Sequence, residues 1–359
     1  MKTQVIKIDA ENINENALKP AAEALKQGMT VAFPTETVYG LGANALDGIA
    51  VSKIFKAKGR PSDNPLIVHI ADREKVSELT SFIPDKAVAL MDKLWPGPLT
   101  LVMKKSSVIP KEITAGLDTV GIRMPEHPVA LELIKLAGIP VAAPSANVSG
   151  KPSPTAAQHV LDDLDGKIEM IVDAGSSRVG LESTVLDVSS DPPVLLRPGG
   201  VTPCQIEEII GHIEIDKTIM NKVTADNVPK SPGMKYKHYS PKAHVIIVES
   251  SDINKQAEVM CYLAEKYKKE GKKVGVCATD QTFDKYCLYD TISMGDRNHP
   301  ETIASSLFSI FREFDGRRAD IILAEAVDQN GVGLAIMNRM VKAAGYDIVK
   351  ADLVNSIGG

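Results

Sequence analysis

TVAFPTETVYGLG, residues 30–42, opens with a short apolar run that closes on Pro34 and then turns to Thr35, Glu36, Thr37 and Tyr39 beside Gly40 and Gly42. An apolar run of this length bounded by proline reads as a strand, and the polar residues behind it fall at the strand's end, where glycines let the backbone come close to a ligand. Upstream, Ala17, Leu18, Ala21 and Leu25 recur at helical spacing over residues 14–29, so a helix precedes the strand. Downstream the alternation continues with a helix over 49–57, strand LIVHI (66–70), helix PDKAVALMDKLW (84–95) and strands TLVMKK (100–105) and VGIRM (120–124). Helix PVALELIKLAG (128–138), strand PVAAPSA (140–146), a helix over 156–164 and strands IEMIVDA (168–174) and STVLDVS (183–189) complete the block. This order predicts an α/β domain over residues 1–213, built on a mixed, twisted sheet.

Residues 214–243 lose the periodicity and become rich in Pro, Lys and turn formers, as in NKVTADNVPKSPGMKYKHYSPK (221–242), which is the composition of a connector. Beyond it HVIIVES (244–250), a helix over 253–269, KVGVCAT (273–279), a helix over 301–314, IILAEAV (321–327) and a helix over 334–344 form a second βα series. That series predicts a smaller, Rossmann-like parallel-sheet domain over 244–359. Its first strand-to-helix turn, ESSDIN (249–254), lacks G-x-G-x-x-G and gives no support for nucleotide binding there. Two domains also suit a chain of 359 residues, longer than one core usually grows.

A net charge of -5 argues against a surface given over to nucleic acid. Lys230, Lys235, Lys237, His238 and Lys242 nevertheless make one local basic stretch, so a weak RNA contact, or an RNA-binding module, stays open. Cys204, Cys261, Cys277 and Cys287 are widely spaced and signal neither a disulfide framework nor a zinc site. No apolar run approaches the ~20 residues that span a bilayer and the first residues lack a signal-peptide core, so the expected location is cytoplasmic, without a membrane partner.

Lys56, Lys58 and Arg60 recur at alternate positions. On an extended or turning segment they would point to one side and form an anion site; on a helix end they would be a solvated terminus. His69, in an otherwise apolar strand, is open to two readings, a core residue or a ligand contact. Arg123 in VGIRMP needs an anion at its strand end, and a carboxylate ligand would supply one. Ser145, Asn147, Ser149 and Ser153 follow a strand directly, where open α/β sheets keep their ligands, although Ser153 could instead cap the next helix with Pro154 in its first position. Ser183 and Thr184 follow a Gly-rich turn, and LLRPGG (195–200) holds out Arg197 on a rigid turn. Neither a Walker motif nor G-x-S-x-G occurs, so any ATP is held without a P-loop, and a serine hydrolase is not supported.

FPTETVYGLG, K-G-R at 58–60, NPLIVHI, WPGPLT, VGIRMP, APSAN and RPGG together, in this order, resemble the signature series of the YrdC-like threonylcarbamoyl-AMP synthases. The SPGMKYKHYSP connector and the second domain resemble the long form of that family. The resemblance implies an L-threonylcarbamoyladenylate synthase, a nucleotidyltransferase that joins L-threonine, bicarbonate or CO2, and ATP, and releases pyrophosphate. A downstream tRNA threonylcarbamoyl transferase complex would then modify tRNA beside the anticodon. By motif position Thr37, His69, Arg123, Ala143 and Ser183 would line the threonine pocket. Arg60, Asn64, Thr119, Ser145, Asn147, Ser153, Arg197 and Tyr236 would contact ATP. Lys58 and Arg60 would neutralise charge at the transferred phosphate, and Mg2+ is expected through the ATP phosphates, with no metal-binding residue of the protein's own. The 214–243 connector would close over the nucleotide as an active-site lid. Carbamoyl transfer of the hydrogenase-maturation type, which shares this domain, is the alternative, but its acylphosphatase-like segment and Cys-rich zinc motifs are missing.

Overall fold

The computed structural model describes residues 2–219, 221 and 238–354. The chain divides into two compact units, one holding the elements up to Ile215 and the other those from His244 onward.

The first unit is built on β1 (Gln4–Lys7), β2 (Val31–Phe33), β3 (Gly40–Asn44), β4 (Ile67–His69), β5 (Leu99–Lys104) and β6 (Thr119–Arg123), followed by β7 (Val141–Ala142), β8 (Met170–Asp173), β9 (Thr184–Asp187), β10 (Val194–Arg197) and β11 (Glu214–Ile215). They form one eleven-stranded sheet in the order β1-β8-β2-β3-β7-β4-β6-β5-β9-β10-β11. Parallel pairs such as β4/β6 and β5/β9 alternate with antiparallel ones such as β3/β7 and β5/β6, so the sheet is mixed. Polar side chains start its helices. Asn14 accepts from the amides of Asn16 and Ala17 ahead of the helix Glu15–Lys26, and Asp47 accepts from those of Ile49 and Ala50 ahead of Gly48–Lys58. The apolar face of Glu15–Lys26, with Leu18, Ala21 and Leu25 fully buried, packs with Val129, Leu133 and Ile134 of the helix Pro128–Ala137. Full burial of one such leucine stabilises the fold by about 1.5–3 kcal/mol. This layer packs on Val31 and Phe33 of β2, Val141 of β7 and Val172 of β8.

The second unit contains β12 (His244–Glu249), β13 (Val274–Ala278), β14 (Asp290–Ser293), β15 (Ile321–Glu325) and β16 (Ile348–Lys350), all paired parallel in the order β14-β13-β15-β12-β16. Helices Ile253–Lys269, Pro300–Gly316 and Gly333–Ala343 connect them. A polar knot locks the ends of β13 and β15. Glu325, fully buried, accepts from the amide and hydroxyl of Thr279 at 2.9 and 2.7 Å, from Thr282 at 2.5 Å and from Tyr286 at 2.6 Å. Arg297 adds an ion pair at 2.9 Å. Among the described residues no helix is long and apolar enough to cross a membrane.

Candidate active site

Sheet register brings the first group of residues together. Parallel pairing of β4 with β6 sets His69 opposite Arg123, and antiparallel pairing of β4 with β7 sets it opposite Val141. Beyond β7 the amide of Ala143 donates to the carbonyl of Ile67 at 2.9 Å, which keeps Ala143 at the same strand ends. Arg123, 3% exposed, donates from Nη1 to Thr37 Oγ1 at 2.9 Å and from Nε to the carbonyl of Gly97 at 3.2 Å. Its Nη2 stands 2.7 Å from Oε1 of Glu36, a carboxylate only 2% exposed. Thr35 shapes the turn that presents these residues, its hydroxyl donating to the carbonyl of Val38 at 2.6 Å. Burial and the charge of Arg123 hold the His69 pKa down at about 3, so the imidazole is neutral. Its Nδ1 is buried with no hydrogen-bond partner.

Ser183 stands immediately before β9. Its hydroxyl lies 2.8 Å from that of Thr100, and Arg197 donates to its carbonyl at 3.0 Å and its hydroxyl at 3.1 Å. Arg197 is the last residue of β10 and is buried, rather than held out on the following turn as its sequence suggested. The close approach depends on Gly199, where a Cβ would stand 2.2 Å from the amide nitrogen of Thr184. The WPGPLT segment bridges the two groups, because Gly97 meets Arg123 while the carbonyl of Pro98 accepts from the amide of Thr184 at 2.9 Å.

A second cluster forms where the helix Gly48–Lys58 ends. Gly59 terminates it in the left-handed region at φ 60°. Helical geometry separates Lys56 from Lys58, so the three cations do not share a side: Lys56 is exposed, whereas Lys58 and Arg60 are buried. Lys58 Nζ donates to the carbonyls of Ser145 at 2.5 Å and Asn147 at 2.7 Å. The S-x-N loop is therefore tied to the K-x-R motif by one ammonium. Arg60 leans toward the carbonyl of Asn64 and borders a cleft of about 490 Å³ shared with Ser52, Phe55, Lys56 and Ser62. The carboxamide of Asn64 is completely buried with neither its oxygen nor its nitrogen bonded. Such a group is costly unless a ligand satisfies it.

Ser153 does not cap the next helix. Its hydroxyl donates to Glu182 at 2.5 Å, and the helix Ala157–Leu164 has Ala156 in the N-cap position, without a side-chain cap. Thr119 begins β6 whereas Arg123 ends it, so about 13 Å of strand separates them. Tyr236 and most of the 214–243 connector lie outside the described residues, although β11 occupies its start. Sequence reading placed Glu36 in the polar cluster at the strand end without giving it a partner, and passed over Glu182 and Thr100. The signal for Glu36 was present, since a buried guanidinium requires a counter-charge and Glu36 sits inside the motif beside Thr37.

The family of Sua5, YciO and YrdC proteins, described as telomere recombination, matches residues 23–199, and the family described as threonylcarbamoyl-AMP synthase, C-terminal domain, matches residues 201–345. A threonylcarbamoyl-AMP synthase of Pyrococcus abyssi is 52% identical over 95% of this chain and 97% of its own length. One from Bacillus subtilis is 50% identical over the same shares. The crystal structure of P. abyssi Sua5 complexed with L-threonine superposes with a TM-score of 0.91 at 51% identity, covering 97% of this chain and 99% of that one. By sequence along nearly its whole length, and by fold, the chain belongs to the threonylcarbamoyl-AMP synthase family.

Proposed function

We propose that this protein is an L-threonylcarbamoyladenylate synthase, converting L-threonine, bicarbonate or CO2, and ATP into threonylcarbamoyl-AMP and pyrophosphate for modification of tRNA. One observation carries the reading: four cations, Lys58 and Arg60 where the helix Gly48–Lys58 ends and Arg123 and Arg197 at the ends of β6 and β10, are each less than a tenth exposed, with the neutral His69 and the unsatisfied Asn64 among the same loops and strand ends. Threonine's carbamate must attack the α-phosphorus of another anion, so the site has to suppress repulsion and align the reacting atoms. A carbamate oxygen forms the new bond to phosphorus, pyrophosphate leaves with the electrons of the broken bond, and no protein nucleophile is needed.

In this reading Thr37, His69, Arg123, Ala143 and Ser183 hold threonine. Arg60, Asn64, Thr119, Ser145, Asn147, Ser153 and Arg197 hold ATP, with Lys58 fixing the S-x-N loop and supplying positive charge. Among the described residues no group of three or more His, Cys, Asp or Glu side chains is arranged to hold a metal ion. Magnesium would enter on the nucleotide's own oxygens and supply charge neutralisation there. The product would pass to a tRNA threonylcarbamoyl transferase complex. Relatives named threonylcarbamoyl-AMP synthase that match this chain from end to end support the reading over carbamoyl transfer of the hydrogenase-maturation type or an RNA-binding module.

The test is pyrophosphate release from ATP with threonine and bicarbonate supplied together and with each omitted. Release should require both, because the attacking carbamate does not exist without both. Equal release with either missing overturns the proposal.

A further inference from the structure

Glu36 has no part in the assignments above, yet its position is costly for a carboxylate. It is 2% exposed and, apart from the ion pair with Arg123, neither oxygen receives a hydrogen bond among the described residues. Removing a carboxylate from water costs several kcal/mol, and recovery depends on donors that fill its lone pairs. Thr37 and Gly97 each accept a hydrogen bond from the Arg123 guanidinium, whereas its Nη2, 2.7 Å from Glu36 Oε1, makes none, so an unfilled donor stands beside two unfilled acceptors. What the pocket lacks is a ligand that offers an acceptor to Nη2 of Arg123 and N–H groups to Glu36.

We propose that Glu36 and Arg123 act as a matched receptor for a zwitterion, Arg123 facing the carboxylate of L-threonine and Glu36 accepting hydrogen bonds from its ammonium. An α-amino acid carries its two charges on substituents of one carbon, and the pair presents the complementary charges 2.7 Å apart. Entry of the zwitterion leaves the net charge of the buried site unchanged, which a lone arginine could not achieve. Glu36 is thereby the residue that selects amino acids over hydroxy acids and simple carboxylates of the same shape. This role rests on the assignment of threonine as substrate.

The experiment is calorimetric titration of wild type and Glu36→Gln with L-threonine, with 3-hydroxybutanoate, which keeps threonine's carboxylate, hydroxyl and methyl but lacks the ammonium, and with ATP as a control. Wild type should prefer threonine strongly. Glu36→Gln should reduce that preference at least about tenfold, equivalent to 1.4 kcal/mol, while 3-hydroxybutanoate and ATP bind within about twofold of wild type. A preference that persists, or equal weakening of both carboxylates, overturns the role and makes Glu36 a structural partner of Arg123 only. Wild type that fails to bind threonine at all overturns the substrate assignment as well, so the two failures are distinguishable. Should Glu36→Gln not fold, Glu36→Asp withdraws the carboxylate by one methylene, and the same selective loss of the threonine preference is expected, its absence counting against the role.

Discussion

Replacing Lys58 with methionine keeps the volume of the buried stem and removes the ammonium that ties the S-x-N loop to the end of the helix Gly48–Lys58. Two carbonyls, those of Ser145 and Asn147, lose charged donors at 2.5 and 2.7 Å. Hydrogen bonds to a charged group contribute about 1.5–3 kcal/mol each, so the gross loss is roughly 3–6 kcal/mol. Relief of the ammonium's own desolvation offsets part of this and leaves a net loss of about 2–3 kcal/mol. For a domain of this size that lowers Tm by roughly 5–10 °C. The loop that carries Ser145 and Asn147 keeps its backbone bonds from Ala146 to Tyr39 and from Ser149 to Lys58 but loses both contacts to the ammonium in the same step, so ATP affinity should fall more than about tenfold. Thermal unfolding followed by circular dichroism and calorimetric titration with ATP read the two effects. Unchanged Tm together with unchanged ATP affinity would refute the reasoning, because the loop would then be held by other contacts.

Arg60→Ala should weaken chiefly ATP and Arg123→Ala chiefly threonine, since one guanidinium borders the cleft proposed for the nucleotide and the other meets Thr37. Titration of each ligand into each variant checks this, and intact threonine affinity in Arg123→Ala removes the substrate assignment. His69 titrates at about 3 in the folded state against an ordinary value near 6.5, so its contribution to stability is complete above pH 6.5 and declines as pH falls toward 3. Urea unfolding between pH 7 and 4 should show this decline, at most about 1.4 kcal/mol per pH unit, and His69→Gln should flatten it. In the second unit Glu325→Ala leaves Arg297 without its buried partner and should cost about 3–5 kcal/mol, read as a lower urea midpoint; a change below 1 kcal/mol would show the knot to be dispensable.

Hydrophobic period made most of the architecture legible. The long helix Ile253–Lys269 and the strand runs around His69, Arg123 and Val274 lie where alternation placed them. β3 was hidden because Gly40 and Gly42 read as turn residues, and β7 contracts to two residues because Pro144 lacks a ladder donor. Charge geometry was legible only in part. Alternation of Lys56, Lys58 and Arg60 suggests a shared side on an extended chain, but the helix runs through Lys58 and turns Lys56 to solvent. The anion needed by Arg123 was deducible, yet its source inside the chain, Glu36, depends on a turn whose shape comes from Thr35 and Val38. Pairings such as Ser153 with Glu182 join residues distant in sequence and are set by tertiary packing, which local pattern does not encode.

The most direct test is incubation of the protein with ATP, L-threonine and carbon-13-labelled bicarbonate, followed by mass analysis of the nucleotide product. A single adduct containing threonine, one labelled carbon and AMP is expected, formed in step with pyrophosphate. An adduct of threonine and AMP without the labelled carbon, or pyrophosphate without any adduct, would contradict it.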